Sequence, residues 1–353
     1  MLKYILKRIG LSILILVAVS LIIYFLVRLM PVDFVAANAG MNSEPETLDK
    51  IREQLGIGDN SFKGIIKGYF DWLGNLFEFE DGFITLGRSF KLNNQPVSRV
   101  ILQGLPVSFV VALIATVFEF MIAIPLGITA ATHQYSFRDY FITVLVMIGI
   151  SLPSFFFANI FKAAFGTGGI MENILEKIFT EGSQAYEFFS RFLVFPVSGT
   201  TDASQSTTGI MDVFSNLRYY ILPIFTITIL SLGGRMRMTR TNMLEVLSSD
   251  YIRTARAKGL KESKVIYKHA FRNTLIPLVT TLAGLIPALF SGAIITEKIF
   301  GLDGIGTTAL NLTNNGDIPF IMGYNMFLAT LSVIGILMSD VMYAIVDPRV
   351  KLK

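Results

Sequence analysis

The stretch from Gly233 to Pro277 reads GGRMRMTRTNMLEVLSSDYIRTARAKGLKESKVIYKHAFRNTLIP, and it is polar and basic within an otherwise very apolar chain. It holds ten lysine and arginine residues but only three carboxylates. Apolar runs long enough to cross a membrane flank it on both sides. Because a basic loop between two spans is retained on the cytoplasmic side, the stretch predicts a cytoplasmic loop over residues 235–272.

The same stretch carries local signals for two short helices. Ser249 or Asp250 can cap a helix that runs through Lys258, and Gly259 stands where a left-handed helix stop is favourable. A second helix is predicted to run from about Glu262 to Arg272. The pattern therefore predicts two short helices, joined by a glycine turn and presented to the cytoplasm.

Three short sequences within this loop resemble a known family. They are DYIRTARAKGL at 250–260, HAFRN at 269–273 and IP at 276–277. Together they resemble the coupling loop in the permeases of binding-protein-dependent ABC importers. More narrowly, they resemble the B-type subunit of the oligopeptide/dipeptide permease family.

The general signature of these importers is Glu-Ala-Ala, then three residues, then Gly. With Gly259 aligned, Arg253 and Thr254 stand at the positions of the Glu and the first Ala, and Ala255 keeps the second Ala. The peptide-permease subfamily shows the same replacements of the Glu and the first Ala. This difference from the general signature therefore narrows the resemblance to that subfamily.

In the family, this short helix docks into a groove on an ATPase subunit. A helix here would place Tyr251, Ile252 and Ala255 on one face, and the resemblance implies that this face meets the groove, with Arg253 and Arg256 at its rim. The alternative is a basic loop without a partner. The predicted ATPase-coupling residues are Asp250, Tyr251, Ile252, Arg253, Ala255, Arg256, Lys258, Gly259 and His269.

The composition indicates a polytopic membrane protein. Of the 353 residues, 52% are hydrophobic and 16% are charged, and the mean hydropathy is +0.59, which is unlike a soluble domain. The net charge of +4 is concentrated in predicted cytoplasmic segments, so it indicates topology, and nucleic acid binding is a poor alternative. The chain has no cysteine, which excludes disulfides, thiolate metal sites and a cysteine nucleophile.

The predicted fold class is an all-α membrane protein with about six transmembrane helices and both termini in the cytoplasm. The family resemblance implies the type I ABC importer permease fold. The predicted spans are 9–30, 105–131, 140–164, a fourth opening at 221–232 and continuing toward 247, 278–296 and 321–346.

The predicted organisation has four parts. These are a first transmembrane helix within 1–31, an extracytoplasmic subdomain over 32–99, a permease core over 100–347 and a cytoplasmic tail at 348–353. In the subdomain, Ser43 begins a capping box, and a second helix is predicted to bury Tyr69, Phe70, Trp72, Leu73, Leu76 and Phe77. The subdomain could cap the mouth of the pathway, dock a substrate-binding protein, or do both.

Residues 166–191 are interpreted as an insertion. The segment FPVSG at 195–199 resembles one that follows the third span much sooner in the family. Within the insertion, 172–179 and 186–193 are predicted to form amphipathic helices, and 200–209 is rich in Ser, Thr and Gly and is predicted to be a mobile loop.

The third span contains SLPSF at 151–155, which is similar to a family pattern. Its proline predicts a kink, and a kinked helix suits a span that lines a pathway. The alternative is ordinary helix packing by small residues. The predicted translocation-path residues, in the third and fifth spans, are Ser151, Pro153, Ser154, Phe155, Pro287 and Ser291.

Glu119 is an ionisable residue inside the second predicted span. Such a group faces an interior or a partner, because a charge exposed to lipid is costly. We expect it to pair with a partner subunit; the alternative is a coupling-ion site in a secondary transporter. Asp340 in the sixth span is similar to a family aspartate and is interpreted as structural.

The chain lacks a phosphate-binding Gly-x-x-x-x-Gly-Lys-Ser/Thr sequence, so it is not expected to hydrolyse ATP itself. Its two histidines, His133 and His269, are far apart in the sequence, so no metal site is predicted. We expect no cofactor on this chain; the resemblance places ATP and Mg²⁺ on partner ATPase subunits.

The function implied by the resemblance is that of a permease subunit in an ATP-driven peptide importer, multi-pass in a bacterial cytoplasmic membrane. Its implied partners are a homologous C-type permease, two ATPase subunits, an extracytoplasmic peptide-binding protein and the lipid bilayer. The alternatives are an importer of the same family for nickel complexes or sugars, and a secondary transporter driven by an ion gradient, although no clear internal repeat is visible. A membrane anchor or receptor without transport would leave the kinked spans unexplained.

Overall fold

The computed structural model of the chain describes residues 2–29, 61–80, 82–197 and 210–346, without the side chains of 2–5, 276, 279, 282 and 343–346. Five helices in these ranges are long and apolar enough to cross a membrane, and a bent pair of helices makes a sixth span if it is counted as one. The predicted all-α membrane fold with about six spans is therefore confirmed.

The described helices are numbered here in chain order. They are α1 (Leu2–Arg28), α2 (Phe62–Leu76), α3 (Val97–Thr132), α4 (Phe137–Ser151), α5 (Ser154–Phe165), α6 (Ile170–Ile178), α7 (Gln184–Leu193), α8 (Ile210–Ser215), α9 (Ile221–Leu247), α10 (Asp250–Ala257), α11 (Glu262–Lys264, Val265–Phe271 and Arg272–Thr280), α12 (Leu282–Ser291), α13 (Ile294–Phe300), α14 (Ile305–Asn314) and α15 (Ile318–Val346). Strands β1 (Phe79–Glu80) and β2 (Phe83–Ile84) form a small antiparallel hairpin after α2.

Two apolar clusters define the two sides of the molecule. On what we call the α2 side, Trp72 and Leu76 of α2 pack with Tyr24 of α1 and Met322 of α15. On what we call the α10 side, Ile252 of α10 packs with the far end of α3 and with α9 and α11. The long helices α3 and α9 pack against each other along much of their length and connect these two sides.

The third predicted span is broken into two helices rather than kinked. Helices α4 and α5 meet at an angle of 101°. Leu152 and Pro153 between them are extended, with ψ of 140° and 145°. Proline has no N–H to donate and disfavours helical geometry in the residue before it, so α4 ends there and α5 begins in a new direction.

The fifth predicted span is also interrupted. Helix α11, which contains a π-helical section at Val265–Phe271 before the span, ends at Thr280, and α12 begins at Leu282. Helices α12 and α13 are separated at Gly292, whose φ is +73°. A Cβ added at Gly292 would lie 2.5 Å from the amide nitrogen of Gly306. Only glycine suits both this backbone conformation and this close approach.

Helix α2 confirms part of the apolar face predicted for the subdomain. Tyr69, Trp72 and Leu76 are buried against α1 and α15, whereas Phe70 and Phe77 are exposed. The capping box that begins at Ser43 lies outside the described residues, as does the loop at 200–209. The two helices predicted within the insertion are confirmed as α6 and α7.

Candidate functional site

The short helix predicted in the basic loop is present as α10. It begins after Ser249, whose backbone is extended, and its hydroxyl does not cap the helix. The Ser249 carbonyl instead accepts hydrogen bonds from the N–H groups of Ile252 and Arg253, at 3.1 and 3.3 Å. Gly259 has a φ of +72°, so the predicted left-handed stop is confirmed.

The face of α10 predicted to meet a partner needs a correction for two of its three residues. Ile252 is 0% exposed and Ala255 is 8% exposed. Both pack inside the chain, against Ile128 of α3, Met243 of α9 and Val265 of α11. The sequence shows that this face of α10 is apolar, but it does not show whether the face is covered by a partner or by the chain itself. The end of α3, more than 100 residues earlier in the chain, covers it.

The exposed surface of α10 is formed mainly by its polar residues. Arg253 has a side chain that is 74% exposed, and it pairs with Asp250 at 3.4 Å. Thr254 and Lys258 are exposed as well. Tyr251 remains half-exposed, and its hydroxyl accepts a 2.6 Å hydrogen bond from Nδ2 of Asn273.

A salt bridge ties α10 to the start of α11. The Arg256 guanidinium donates to both carboxylate oxygens of Glu262, and the shortest distance is 2.7 Å. This hydrogen bonding and the opposite charge lower the pKa of Glu262, and the same contacts raise the pKa of Arg256. His269, farther along α11, is half-buried, and its backbone carbonyl accepts from Asn273 at 3.3 Å.

Tight helix packing connects α10 to the centre of the molecule. A Cβ on Gly127 of α3 would lie 2.7 Å from Cβ of Thr239 and 2.9 Å from the carbonyl oxygen of Met236, both in α9. Arg240 of α9 makes a bidentate salt bridge to Asp139 of α4: Nε donates to Oδ1 at 2.9 Å and Nη2 donates to Oδ2 at 2.8 Å. Since α10 packs on both α3 and α9, a force on α10 reaches both spans through apolar contacts.

A cavity of about 580 Å³ lies between α3, α9 and α12. Small residues of α12, Gly284 and Ala288, keep one wall open. The polar side chains in its lining are Thr116, Glu119, Ser231, Arg235 and Thr281.

Glu119 forms an ion pair within its own chain, which corrects the expectation that it pairs with a partner subunit. Nε of Arg235 donates to Oε1 of Glu119 at 2.9 Å, and Nη1 donates to Oγ1 of Thr281 at 2.8 Å. The guanidinium also lies over the ring of Phe120, 4.7 Å from its centre. Arg235 was assigned to the basic loop by its charge, but α9 carries it beside α3, near the middle of the helix.

The six predicted translocation-path residues do not line this cavity. The fifth span contributes to it through other residues of α12, the third span contributes none, and the second and fourth spans form the remaining walls. Ser151 and Phe155 are exposed beside the α4–α5 break, and the backbone carbonyl of Ser291 accepts from the Tyr324 hydroxyl at 2.9 Å. A path role for these residues stays a prediction.

Two buried carboxylates on the α2 side have a role that the sequence did not reveal. Glu297 accepts hydrogen bonds from the Ser108 hydroxyl and from the N–H groups of Ala293 and Thr307, at 2.7 to 3.0 Å. Asp317 accepts from the Ser89 hydroxyl and from three backbone N–H groups, including that of Phe320 at 3.2 Å. The several glycines close to Glu297 in the sequence were the signal that could have pointed to this tightly packed site. Across the described residues, no group of three His, Asp or Glu could share a metal ion.

The chain is similar in sequence to membrane components of known transport systems. Residues 123–352 match the profile of the family described as binding-protein-dependent transport system inner membrane component, and residues 1–112 match the profile of the N-terminal part of such components. Among similar proteins, the oligopeptide transport system permease protein AppB of Bacillus subtilis (strain 168) is 31% identical over 351 residues, covering 99% of this chain and 100% of AppB.

Two further relatives are similar over their whole length. A putative peptide transport system permease protein of Brucella abortus (strain 2308) is 34% identical over 347 residues, covering 98% of each chain. The dipeptide transport system permease protein DppB of Lactococcus lactis subsp. cremoris (strain MG1363) is 31% identical over 352 residues, covering 100% of each chain.

Proposed function

The chain belongs to the family of binding-protein-dependent transport system inner membrane components, and we propose that it is one permease subunit of an ATP-driven importer of peptides. The peptide substrate is proposed because the similar proteins of Bacillus subtilis and Lactococcus lactis are named oligopeptide and dipeptide permeases. Nickel complexes or sugars are the alternative substrates. In this proposal the chain resides in a bacterial cytoplasmic membrane with its α10 side in the cytoplasm.

The observation that carries the ATP-coupling proposal is the attachment of α10. Two buried side chains, Ile252 and Ala255, fix the helix on the ends of α3 and α9, while Arg253 remains exposed. A basic, exposed helix held on a rigid base suits docking to an acidic groove. ATP and Mg²⁺ would be bound by two partner ATPase subunits, and nucleotide would bias the access state by displacing α10.

The cavity between α3, α9 and α12 supports the proposed transport pathway. An open cavity on one chain is suited to form one half of a path, with a homologous C-type permease supplying the other half. An extracytoplasmic peptide-binding protein would deliver substrate to the α2 side. The ion-gradient alternative loses its main support, because the carboxylate of Glu119 is engaged by Arg235.

The test is a charge reversal at the exposed position, Arg253→Glu, in the assembled transporter. We expect association with the ATPase subunits to weaken at least tenfold, which corresponds to about 1.4 kcal/mol, and ATP-dependent peptide uptake to fall accordingly. Co-purification and uptake into proteoliposomes measure these effects. The thermal midpoint of the chain should not change, since the side chain makes no buried contact.

Lys264→Glu is the matched control, because Lys264 is an exposed cation of the same loop at the start of α11. It should retain most of the association. Equal losses in both variants would indicate a general charge effect, and normal uptake by Arg253→Glu would contradict α10 as the coupling element. Ala255→Glu is a poorer probe, because it would bury a carboxylate inside the chain and disturb folding.

A further inference from the structure

The insertion helices α6 and α7 both expose apolar side chains. On α6, Ile170, Ile174 and Ile178 recur every four residues and are exposed, so they lie along one face of the helix. On α7, Phe188 and Phe192 are each 60% exposed and pack against each other, with ring centres 5.1 Å apart. These five side chains form what we call the insertion face.

The insertion face belongs to a fixed pair of helices. The rings of Phe179, which follows α6, and Phe189 of α7 stack with centres 5.3 Å apart, and Leu175, on the adjacent face of α6, is buried. Charged residues alternate with the exposed apolar ones, as at Glu187 and Arg191. The chain therefore holds the insertion face outward and buries other residues of the same helices.

Hydrogen bonds hold α7 close to the start of a transmembrane helix. Nη2 of Arg218 donates to the backbone carbonyl of Val194 at 2.9 Å, and to that of Ser190 at 3.4 Å. Helix α9 begins three residues after Arg218, and its first turns already expose Ile221 and Phe225. Exposed apolar side chains so early in a spanning helix suit hydrocarbon at that level.

The other end of the insertion is attached at the same level. The N–H of Phe195 donates to the carbonyl of Phe165 at 2.8 Å, and the N–H of Thr167 donates to the carbonyl of Phe195 at 3.0 Å. Phe165 is the last residue of α5, and Phe161 of α5 contacts Phe225 of α9, with ring centres 5.0 Å apart. Both attachments therefore place the insertion at the membrane boundary on the α2 side.

We propose that α6 and α7 lie in the interfacial layer of the bilayer, with the insertion face among lipid headgroups and upper acyl chains. The occupant is a lipid surface, because the attachments through Arg218 and Phe195 hold α6 and α7 beside the exposed apolar start of α9. Short helices with apolar residues on one side and charged residues on the other bind membranes in this orientation, about 5–10 Å deep. This contact anchors the outer end of the bent α4–α5 pair to the bilayer.

The cysteine-free chain allows a direct test by single-cysteine labelling. Ile174→Cys and Phe188→Cys report the insertion face, and Glu176→Cys and Glu187→Cys are matched controls at exposed charged positions on other faces of the same helices. Each is labelled with an environment-sensitive fluorophore and reconstituted, within the assembled transporter, into phosphatidylcholine vesicles that contain a shallow nitroxide-labelled lipid.

We expect the labels at 174 and 188 to emit at shorter wavelength and to be quenched severalfold more by the nitroxide lipid than the labels at 176 and 187. Aqueous iodide should quench the two controls preferentially. Strong iodide quenching at 174 and 188 would overturn the proposal by placing the insertion face in water. Protection from both quenchers would also overturn it, because a protein surface would then cover the face. None of these outcomes depends on ATP coupling or on the peptide substrate.

Discussion

Buried carboxylates are stabilised in two different ways in this chain. On the α2 side, Glu297 and Asp317 are held by hydroxyl groups and backbone N–H groups. Toward the centre and the α10 side, Glu119 and Asp139 are held by arginines of α9. The first arrangement joins loops and helix ends, and the second joins neighbouring membrane helices.

The two kinds of partner differ in how far they can move. A backbone donor keeps its position as long as the local fold persists, and the glycines around Glu297 leave no space for movement: a Cβ on Gly304 would lie 2.4 Å from its carboxyl carbon. An arginine has a long side chain that can follow a shifted helix or change partner. We therefore expect the α2 side to act as a frame, and the arginine contacts of α9 to be where side chains change partner during transport.

The largest expected effect comes from Glu297→Gln. The amide would present N–H donors to the N–H groups of Ala293 or Thr307, leaving buried donors unsatisfied at a cost of roughly 3 kcal/mol. Thermal unfolding of the purified chain in detergent measures the loss. Lys298→Gln, an exposed neighbour on α13, should leave the midpoint unchanged. A wild-type midpoint for Glu297→Gln would contradict the frame interpretation.

A smaller loss of stability, which a second substitution can partly reverse, is expected for the ion pair between Glu119 and Arg235. Glu119→Gln leaves Arg235 with a neutral acceptor inside the cavity, which we expect to cost about 2 kcal/mol, less than for a fully enclosed pair because water can enter. Adding Arg235→Gln should recover part of the loss, with a coupling energy of about 1 kcal/mol. Unfolding of the two single variants and the double variant gives this value.

These three variants distinguish the two ways in which a buried carboxylate is held. Glu297 has no single partner whose substitution could restore its site, whereas Glu119 has one. If the double variant is no more stable than the sum of the single losses predicts, the two residues do not act as a pair. The carboxylates in the membrane region would then resemble those on the α2 side.

The smallest expected effect is a pH dependence of the free energy of unfolding that comes from the exposed Arg256–Glu262 pair, which joins α10 to α11. Arg256 lowers the pKa of Glu262 below its ordinary value of 4.5, so the folded chain binds a proton less readily than the unfolded chain. The pair therefore stabilises the fold above that value, and the contribution is lost as the pH falls through the lowered pKa. Because both side chains are about half-exposed, we expect at most a few tenths of a kcal/mol.

Unfolding measured from neutral pH down to about pH 3 tests this prediction. Glu262→Gln should remove this small acid-dependent component and leave the remaining profile unchanged. A variant profile that matches that of the wild type would show that the pair contributes nothing measurable, which is common for surface ion pairs.

Much of the fold could be predicted because its signals are local. The length of the apolar runs predicted the spans, since a span needs about 20 apolar residues, and the turn at Gly259 was predicted because helix stops favour glycine. The breaks at Pro153 and Gly292 were harder. A proline in a membrane helix is compatible with a kink or with a complete break, and only the surrounding contacts select between them.

The sequence by itself determined the fold class, the basic loop with its short helix, and the family resemblance, because composition, periodicity and turn chemistry depend on neighbouring residues. Only the tertiary structure decided that Ile252 and Ala255 face inward, that Glu119 meets Arg235 across 116 positions, and that Glu297 is enclosed by backbone donors. Each of these contacts joins segments far apart in the chain. Which distant group arrives beside a side chain depends on how the helices pack, and neither charge nor hydrophobicity at a single position encodes that.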